Sequence, residues 1–79
     1  MSNLELYKKA FVNVFEVSEE DLGDAFTSDA CEKWDSVSQM ALVTELENAF
    51  DIMIDIDDIY ELNSFNAGIE ILKKYEVEI

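Results

Sequence analysis

Three segments of the chain repeat apolar residues at intervals of three and four, the spacing that places them on one face of an α-helix. No proline interrupts the chain. In the first segment the apolar residues are Leu4, Tyr7, Phe11, Val14 and Phe15. Ser2 and Glu5, at the start of this run, have the spacing of a capping box. The pattern predicts helix I over residues 3–15.

The second periodic segment follows Asp35, a residue type preferred at helix N-caps, and predicts helix II up to about Phe50. Its apolar residues are Val37, Met40, Ala41, Val43, Leu46, Ala49 and Phe50. Between the two helices, residues 16–33 lose the periodicity and are rich in acids, which indicates a long loop. We expect Leu22 and Phe26 to anchor this loop to the core.

After helix II, residues 51–56 alternate polar and apolar side chains like a short strand, but no second strand is evident to pair with them. We therefore predict an extended segment that leads into a short helix III over about residues 57–62. Asn63 or Ser64 then caps helix IV, whose apolar residues are Phe65, Ile69, Leu72 and Tyr75. The predicted fold is all-α: a small bundle of three main helices plus one short helix, with a long loop between helices I and II.

Length and charge narrow the kinds of partner. The 79 residues suffice for a single domain, residues 1–79, with one modest core. Nineteen acidic and five basic residues give a net charge of −14, which repels nucleic acid and anionic membranes and attracts basic protein surfaces. No apolar run approaches the roughly 20 residues of a membrane helix. We expect a monomer in the reducing cytoplasm, where the single Cys31 is incidental.

The residue inventory excludes most catalytic sites. Without histidine, no Ser-His-Asp or Cys-His arrangement can form, and Cys31 alone cannot build a zinc site. The two glycines lie too far apart for a phosphate-binding loop. Residues 51–62 place aspartates at three positions of a calcium loop, but Ile56 stands where glycine is required and Leu62 where glutamate should bind. We therefore predict neither an enzyme nor a metal site.

Ser36 is the residue whose position suggests chemistry. It directly follows the expected cap Asp35, so its hydroxyl lies on the first turn of helix II, near unbonded backbone amides and the positive end of the helix dipole. Such a position favours a phosphate group. Without an internal base to activate it, Ser36 would be a passive acceptor for a group that another enzyme transfers. The alternative is that Ser36 only helps Asp35 to start the helix.

The sequence around Ser36 resembles the acyl carrier protein family, whose signature is Asp-Ser followed by an aliphatic residue at the start of the second helix. Asp35-Ser36-Val37 matches that signature. The similarity continues through the alternating isoleucines after helix II, the acids that begin helix III and the entry to helix IV. The matching positions within helix II are Val37, Met40, Leu42, Val43, Leu46, Glu47 and Phe50. The resemblance covers nearly all of the chain from Trp34 onward.

This resemblance implies that Ser36 receives a 4′-phosphopantetheine arm from coenzyme A and that the thiol of the arm carries acyl groups as thioesters. Asp35 would help a phosphopantetheinyl transferase to recognise the site. The other implied partners are acyl-loading and acyl-processing enzymes with basic docking surfaces. The residues expected to contact partners are Trp34, Val37, Met40, Glu45 and Glu47. Trp34 has a second interpretation, in which it packs the long loop onto the bundle.

Some positions depart from the fatty-acid carriers of this family, which typically show Leu-Gly before Asp-Ser and acids along the exposed face of helix II. Here residues 31–34 contain no Leu-Gly pair, and Ser38, Ala41 and Asn48 replace acids. We therefore expect a stand-alone carrier with a dedicated partner set, in lipid, polyketide-like or other specialised biosynthesis. An aminoacyl or peptidyl carrier is an open alternative. An acidic interaction protein without a prosthetic group is an alternative of another class.

Overall fold

Four α-helices account for most of the chain in the computed structural model, which describes residues 2–79. They are α1 (Asn3–Phe15), α2 (Ser36–Phe50), α3 (Ile56–Glu61) and α4 (Phe65–Lys74), and one 3₁₀ turn (Glu19–Asp21) lies in the long loop between α1 and α2. No β-strand occurs in this part of the chain. The predicted all-α fold is therefore confirmed, with α3 beginning and ending one residue earlier than expected. Within residues 2–79, no helix combines the length and the apolar character needed to cross a bilayer.

Serine side chains fix where the first and last helices begin. The Ser2 hydroxyl accepts a hydrogen bond from the Glu5 amide at 3.1 Å. The Ser64 hydroxyl accepts one from the Ala67 amide at 2.9 Å, which identifies Ser64 rather than Asn63 as the cap of α4. Each bond satisfies an amide that the helix itself leaves without a partner.

An aromatic cluster forms the centre of the core. Tyr7, Phe11 and Phe15 project from one face of α1, as the helical spacing predicts, and are fully buried. Phe26 from the long loop and Phe65 from α4 pack on Phe11, with ring centroids 5.7 Å and 5.2 Å away. Aromatic pairs at such separations stabilise a core beyond the burial of their area. The other buried apolar residues are Ala10, Trp34, Leu42, Val43, Leu46, Ile54, Leu62, Ile71, Leu72 and Val77.

The long loop is held by backbone hydrogen bonds to the segment before α4. The Ser28 amide donates to the Asn63 carbonyl at 2.8 Å, and the Phe65 amide donates to the Phe26 carbonyl at 2.9 Å. Phe26 is thereby fixed as the buried anchor that the sequence predicts, whereas Leu22 is only half-buried. The loop therefore stays against the bundle and delivers the chain to the start of α2.

The extended segment after α2 bonds to side chains instead of to a second strand. The Ile54 amide donates to the Glu47 carboxylate at 2.8 Å, and the Asp55 amide donates to the Tyr75 hydroxyl at 2.9 Å. These bonds satisfy backbone groups that an isolated strand would leave unpaired. The segment therefore runs extended into α3, as predicted.

Candidate functional site

Asp35 and Ser38 together begin α2. The Asp35 carboxylate accepts hydrogen bonds from the Ser38 amide (2.9 Å) and the Ser38 hydroxyl (2.7 Å), and the Asp35 amide donates to the Ser38 hydroxyl oxygen (3.2 Å). The hydrogen bonds from the amide and then the hydroxyl of Ser38 hold the pKa of Asp35 below its usual range. The carboxylate is therefore ionised at neutral pH and is a weak base. The predicted N-cap role of Asp35 is confirmed.

Ser36 is exposed on the first turn of the same helix. Its hydroxyl makes no hydrogen bond to any of residues 2–79, because Asp35 and Ser38 complete the cap without it. The alternative in which Ser36 mainly helps to start the helix therefore loses its support. The hydroxyl is free to react with an external group.

A groove of about 420 Å³ lies beside Ser36, between the start of α2 and α3. Its apolar lining consists of Trp34, Met40, Ile59, Tyr60 and Leu62. The Gln39 side chain and the half-buried Ser28 add polar groups to the wall. A volume of this size falls within the range of small-ligand pockets, so part of a group attached to Ser36 has room to lie there.

Exposed apolar side chains stand on both helices that border the groove. On α2, Val37 is 78% exposed and Met40 52%, and on α3, Ile56 is 65% exposed and Tyr60 78%. Residues 35–61 also contain eight acidic residues, of which six are exposed, and no lysine or arginine. The segment from α2 to α3 therefore combines exposed apolar area with negative charge, a composition that suits a partly apolar and basic protein surface.

The predicted partner-contact residues of α2 fall into two groups. Val37, Met40 and Glu45 are exposed and accessible to a partner. Glu47 is half-buried, and its carboxylate accepts the hydrogen bond from the Ile54 amide. Glu47 therefore holds the segment before α3 in place, and its carboxylate is only partly exposed to a partner.

Trp34 corrects the predicted partner surface. The residue is only 9% exposed, and its ring packs on Phe11, Phe15 and Phe26 with centroid distances of 5.9, 4.9 and 5.9 Å. Its indole Nε1 donates to Gln39 Oε1. Trp34 therefore packs the loop onto the bundle, which was the second of its two interpretations. An indole buried to this extent offers almost no surface to a partner.

The sequence gives little sign of an ion pair between α3 and α4, in which the carboxylate is buried and the ammonium is exposed. Asp58 is only 6% exposed, and its carboxylate accepts hydrogen bonds from the Lys74 ammonium and from the Tyr75 hydroxyl, the latter at 2.6 Å. The bond from Lys74, followed by the bond from Tyr75, holds the pKa of Asp58 below its usual range. In the sequence Asp58 resembles its solvated neighbour Asp57, and only its helical register toward α4 distinguishes the two.

The fold and the site define a class of protein: a small helical domain with an exposed serine on the first turn of a helix and no histidine to activate its hydroxyl. Comparison with protein families narrows this class. A family model described as a phosphopantetheine attachment site matches residues 9–72 of the 79, and the chain belongs to this family. Searches of curated proteins and of solved structures give no match.

Membership in this family establishes the prosthetic group. Its proteins are carriers with a covalently attached 4′-phosphopantetheine group, and they work with a phosphopantetheinyl transferase and with biosynthetic enzymes. The residues present fit such a group, because an exposed serine hydroxyl without an internal hydrogen bond lies at the rim of a groove inside the matched range. When bound, the group supplies a terminal thiol. The alternative of an acidic interaction protein without a prosthetic group is thereby excluded.

Proposed function

We propose that Ser36 carries the phosphopantetheine group and that the chain transports acyl groups on it as thioesters. The observation that carries the proposal is the exposed Ser36 hydroxyl, next to the Asp35 cap and without a hydrogen bond to residues 2–79. The other serines beside it, Ser28 and Ser38, are half-buried, and the Ser38 hydroxyl is bonded to Asp35. Of these three serines, Ser36 is therefore the one whose hydroxyl a transferase reaches with the least rearrangement.

The attachment step needs groups that the chain does not supply. The Ser36 oxygen forms a bond to the phosphorus next to the pantetheine of coenzyme A, the phosphoanhydride bond to the adenosine portion breaks, and the hydroxyl proton goes to a base. Asp35 is a poor base, because its hydrogen bonds from Ser38 lower its pKa. The transferase therefore provides the base. Asp35 provides an exposed negative charge that a metal ion or a basic side chain of the transferase contacts.

The face around the groove specifies the chemistry of the docking partners. The exposed apolar contacts are Val37, Met40, Ile56 and Tyr60. They lie within residues 35–61, which contain six exposed acids and no base, and Glu45 is the exposed acid within α2. A fitting enzyme has an apolar depression for these side chains and basic residues around it.

Two uncharged positions on α2 favour a dedicated partner set over the partners of bulk fatty-acid synthesis. Ala41 and Asn48 are exposed, at places where fatty-acid carriers commonly hold acids. With fewer charges on this helix, docking depends more on apolar contact, so its rate responds less steeply to salt than docking by a fully acidic helix. Partners that require the denser charge would bind this chain weakly.

The lining of the groove supports an acyl cargo. Met40, Ile59 and Tyr60 present accessible apolar surface in the groove, and an acyl chain gains free energy by leaving water against it. The ammonium of an aminoacyl cargo gains nothing from these apolar side chains, and among residues 2–79 Asp35 at the rim is the one carboxylate that lines the groove. The groove therefore favours acyl over aminoacyl or peptidyl cargo.

Incubation with coenzyme A and a promiscuous transferase tests the attachment. The wild type is expected to gain the mass of one phosphopantetheine group, and Ser36→Ala to gain none. Ser28→Ala is the matched control, because it removes another hydroxyl of the same groove and should load like the wild type. A wild type that gains no mass, or a gain that survives Ser36→Ala, contradicts the proposal.

A second measurement identifies the cargo. The chain is purified from its native cells, the thioester is cleaved with hydroxylamine, and the released hydroxamate is identified by mass. We expect an aliphatic or aryl acyl hydroxamate. An amino acid or peptide hydroxamate would contradict the acyl assignment and would identify the chain as an aminoacyl or peptidyl carrier.

A further inference from the structure

α3 depends on its neighbours for its position. It has only six residues, too few for a helix to be stable on its own, and its N-cap Asp55 makes no side-chain cap bond. Its first half is tied to α4, because the Asp58 carboxylate is bonded to Lys74 and Tyr75 and the Asp55 amide donates to the Tyr75 hydroxyl. None of these bonds ties α3 to α2, on which Ser36 lies.

The Gln39 side chain makes that second connection. Its Nε2 donates to the Ile59 carbonyl in the last turn of α3 at 2.7 Å, while its Oε1 accepts from the Trp34 indole. Both bonds are partly buried. The amide group of one residue on α2 thus joins the chain just before Ser36 to the backbone of α3, and it uses both its donor and its acceptor to do so.

The three joined residues also line the groove beside Ser36. Trp34, Gln39 and Ile59 belong to its wall, and Tyr60, the exposed aromatic residue of α3, follows Ile59 directly. An enzyme that approaches Ser36 therefore meets side chains of both helices. The distance and angle between α2 and α3 therefore determine whether the enzyme always meets these side chains in the same arrangement.

We propose that Gln39 is a positioning residue for the serine site: it holds α3 against the start of α2 and keeps both walls of the groove in place for docking enzymes. This inference rests on the proposed attachment at Ser36. Without the Gln39 donor, the Ile59 carbonyl keeps only its bond from the Leu62 amide, and α3 is released on the side that faces Ser36. The serine itself is unchanged, so the loss concerns docking and not the reactivity of the hydroxyl.

Two substitutions of similar size separate the two bonds. Gln39→Glu keeps an acceptor for the Trp34 indole and loses the donor to Ile59, whereas Gln39→Met loses both. The single tryptophan gives one indole N–H resonance, whose shift reports the Trp34 bond independently. Lys9→Gly is the control, because it weakens the middle of α1 at an exposed position away from the groove.

Hydrogen exchange and transferase kinetics provide the test. Both Gln39 variants are expected to speed exchange of the Ile59 and Leu62 amides by about tenfold relative to amides of α1, as loss of a partly buried hydrogen bond implies. Both should raise the KM of the transferase for this chain several-fold and leave kcat within about twofold. Lys9→Gly should lower the melting temperature without raising KM.

The outcomes that overturn the inference are distinct from those that overturn the attachment. If the wild type loads and the Gln39 variants show wild-type KM, or a KM no higher than that of Lys9→Gly, Gln39 does not position the site, whatever the exchange rates are. A change in kcat with unchanged KM also contradicts it. If the wild type gains no phosphopantetheine, the proposed function fails first and the positioning role fails with it.

Discussion

Replacement of Trp34 by phenylalanine distinguishes a core residue from a partner contact. Phenylalanine keeps one ring against Phe11, Phe15 and Phe26 but loses the pyrrole portion and the N–H that bonds to Gln39. The lost apolar area contributes about 1 kcal/mol, and the partly buried Gln39 oxygen left without a partner costs about another 1 kcal/mol. We therefore expect Trp34→Phe to reduce the free energy of unfolding by about 2 kcal/mol.

A loss of this size is easy to measure in a domain of 79 residues, where each kcal/mol shifts the melting temperature by roughly 4–8 °C. Urea unfolding followed by far-ultraviolet circular dichroism gives the free energy without relying on the removed indole. Tyr60→Phe is the control, because Tyr60 is exposed and its substitution should change stability by less than about 0.5 kcal/mol. A Trp34→Phe midpoint equal to that of the wild type, together with weaker partner binding, would refute the core assignment.

Three further perturbations have directions fixed by the structure. Gly68→Ala should lower the melting temperature in thermal unfolding, because the added Cβ would lie 2.0 Å from the buried Tyr7 hydroxyl, which donates to the Phe65 carbonyl. This clash outweighs the gain of about 1 kcal/mol in helix propensity. An unchanged or higher melting temperature contradicts the packing. The lowered pKa of Asp58 in contact with Lys74 means that this carboxylate stabilises the fold above the ordinary value of 3.8 and loses its effect as the pH falls through the lowered folded value. Urea unfolding should therefore find Asp58→Asn less stable than the wild type at pH 7 and equal to it in strong acid, and a difference that does not shrink would contradict the assignment. Added salt or magnesium should raise the melting temperature because a net charge of −14 repels itself, and a flat response would count against this.

The helices and their caps were predictable because their causes are local. The spacing of Tyr7, Phe11 and Phe15 determines which face of α1 is buried, and Asp35 begins α2 through bonds to a residue three positions later. The position of Ser36 on the first turn of α2 is predictable for the same reason, since it follows from the cap at Asp35. The proposed role of Ser36 as the attachment residue depends on the resemblance to acyl carrier proteins. The family match supports this resemblance at the level of phosphopantetheine carriers.

The features that the sequence leaves open, as for Trp34, or does not indicate at all depend on contacts between distant parts of the chain. Trp34 is buried by rings from α1 and from the loop, and its neighbours in sequence give no sign of them. Asp58 is buried because it meets Lys74, sixteen residues later. Glu47 and Gln39 read as ordinary polar positions of an amphipathic helix, although each is bonded to the segment between α2 and α4. Only the packing of the helices reveals such roles.

The identity of the modified hydroxyl is the most direct test of the account. The chain contains six serines, of which Ser28, Ser36 and Ser38 surround the start of α2 and its groove. The chain loaded by a transferase is digested, and fragment mass spectra locate the phosphopantetheine group within the peptides. The account predicts that the group lies on Ser36 alone, and a group on Ser28, on Ser38 or on any other residue would contradict it.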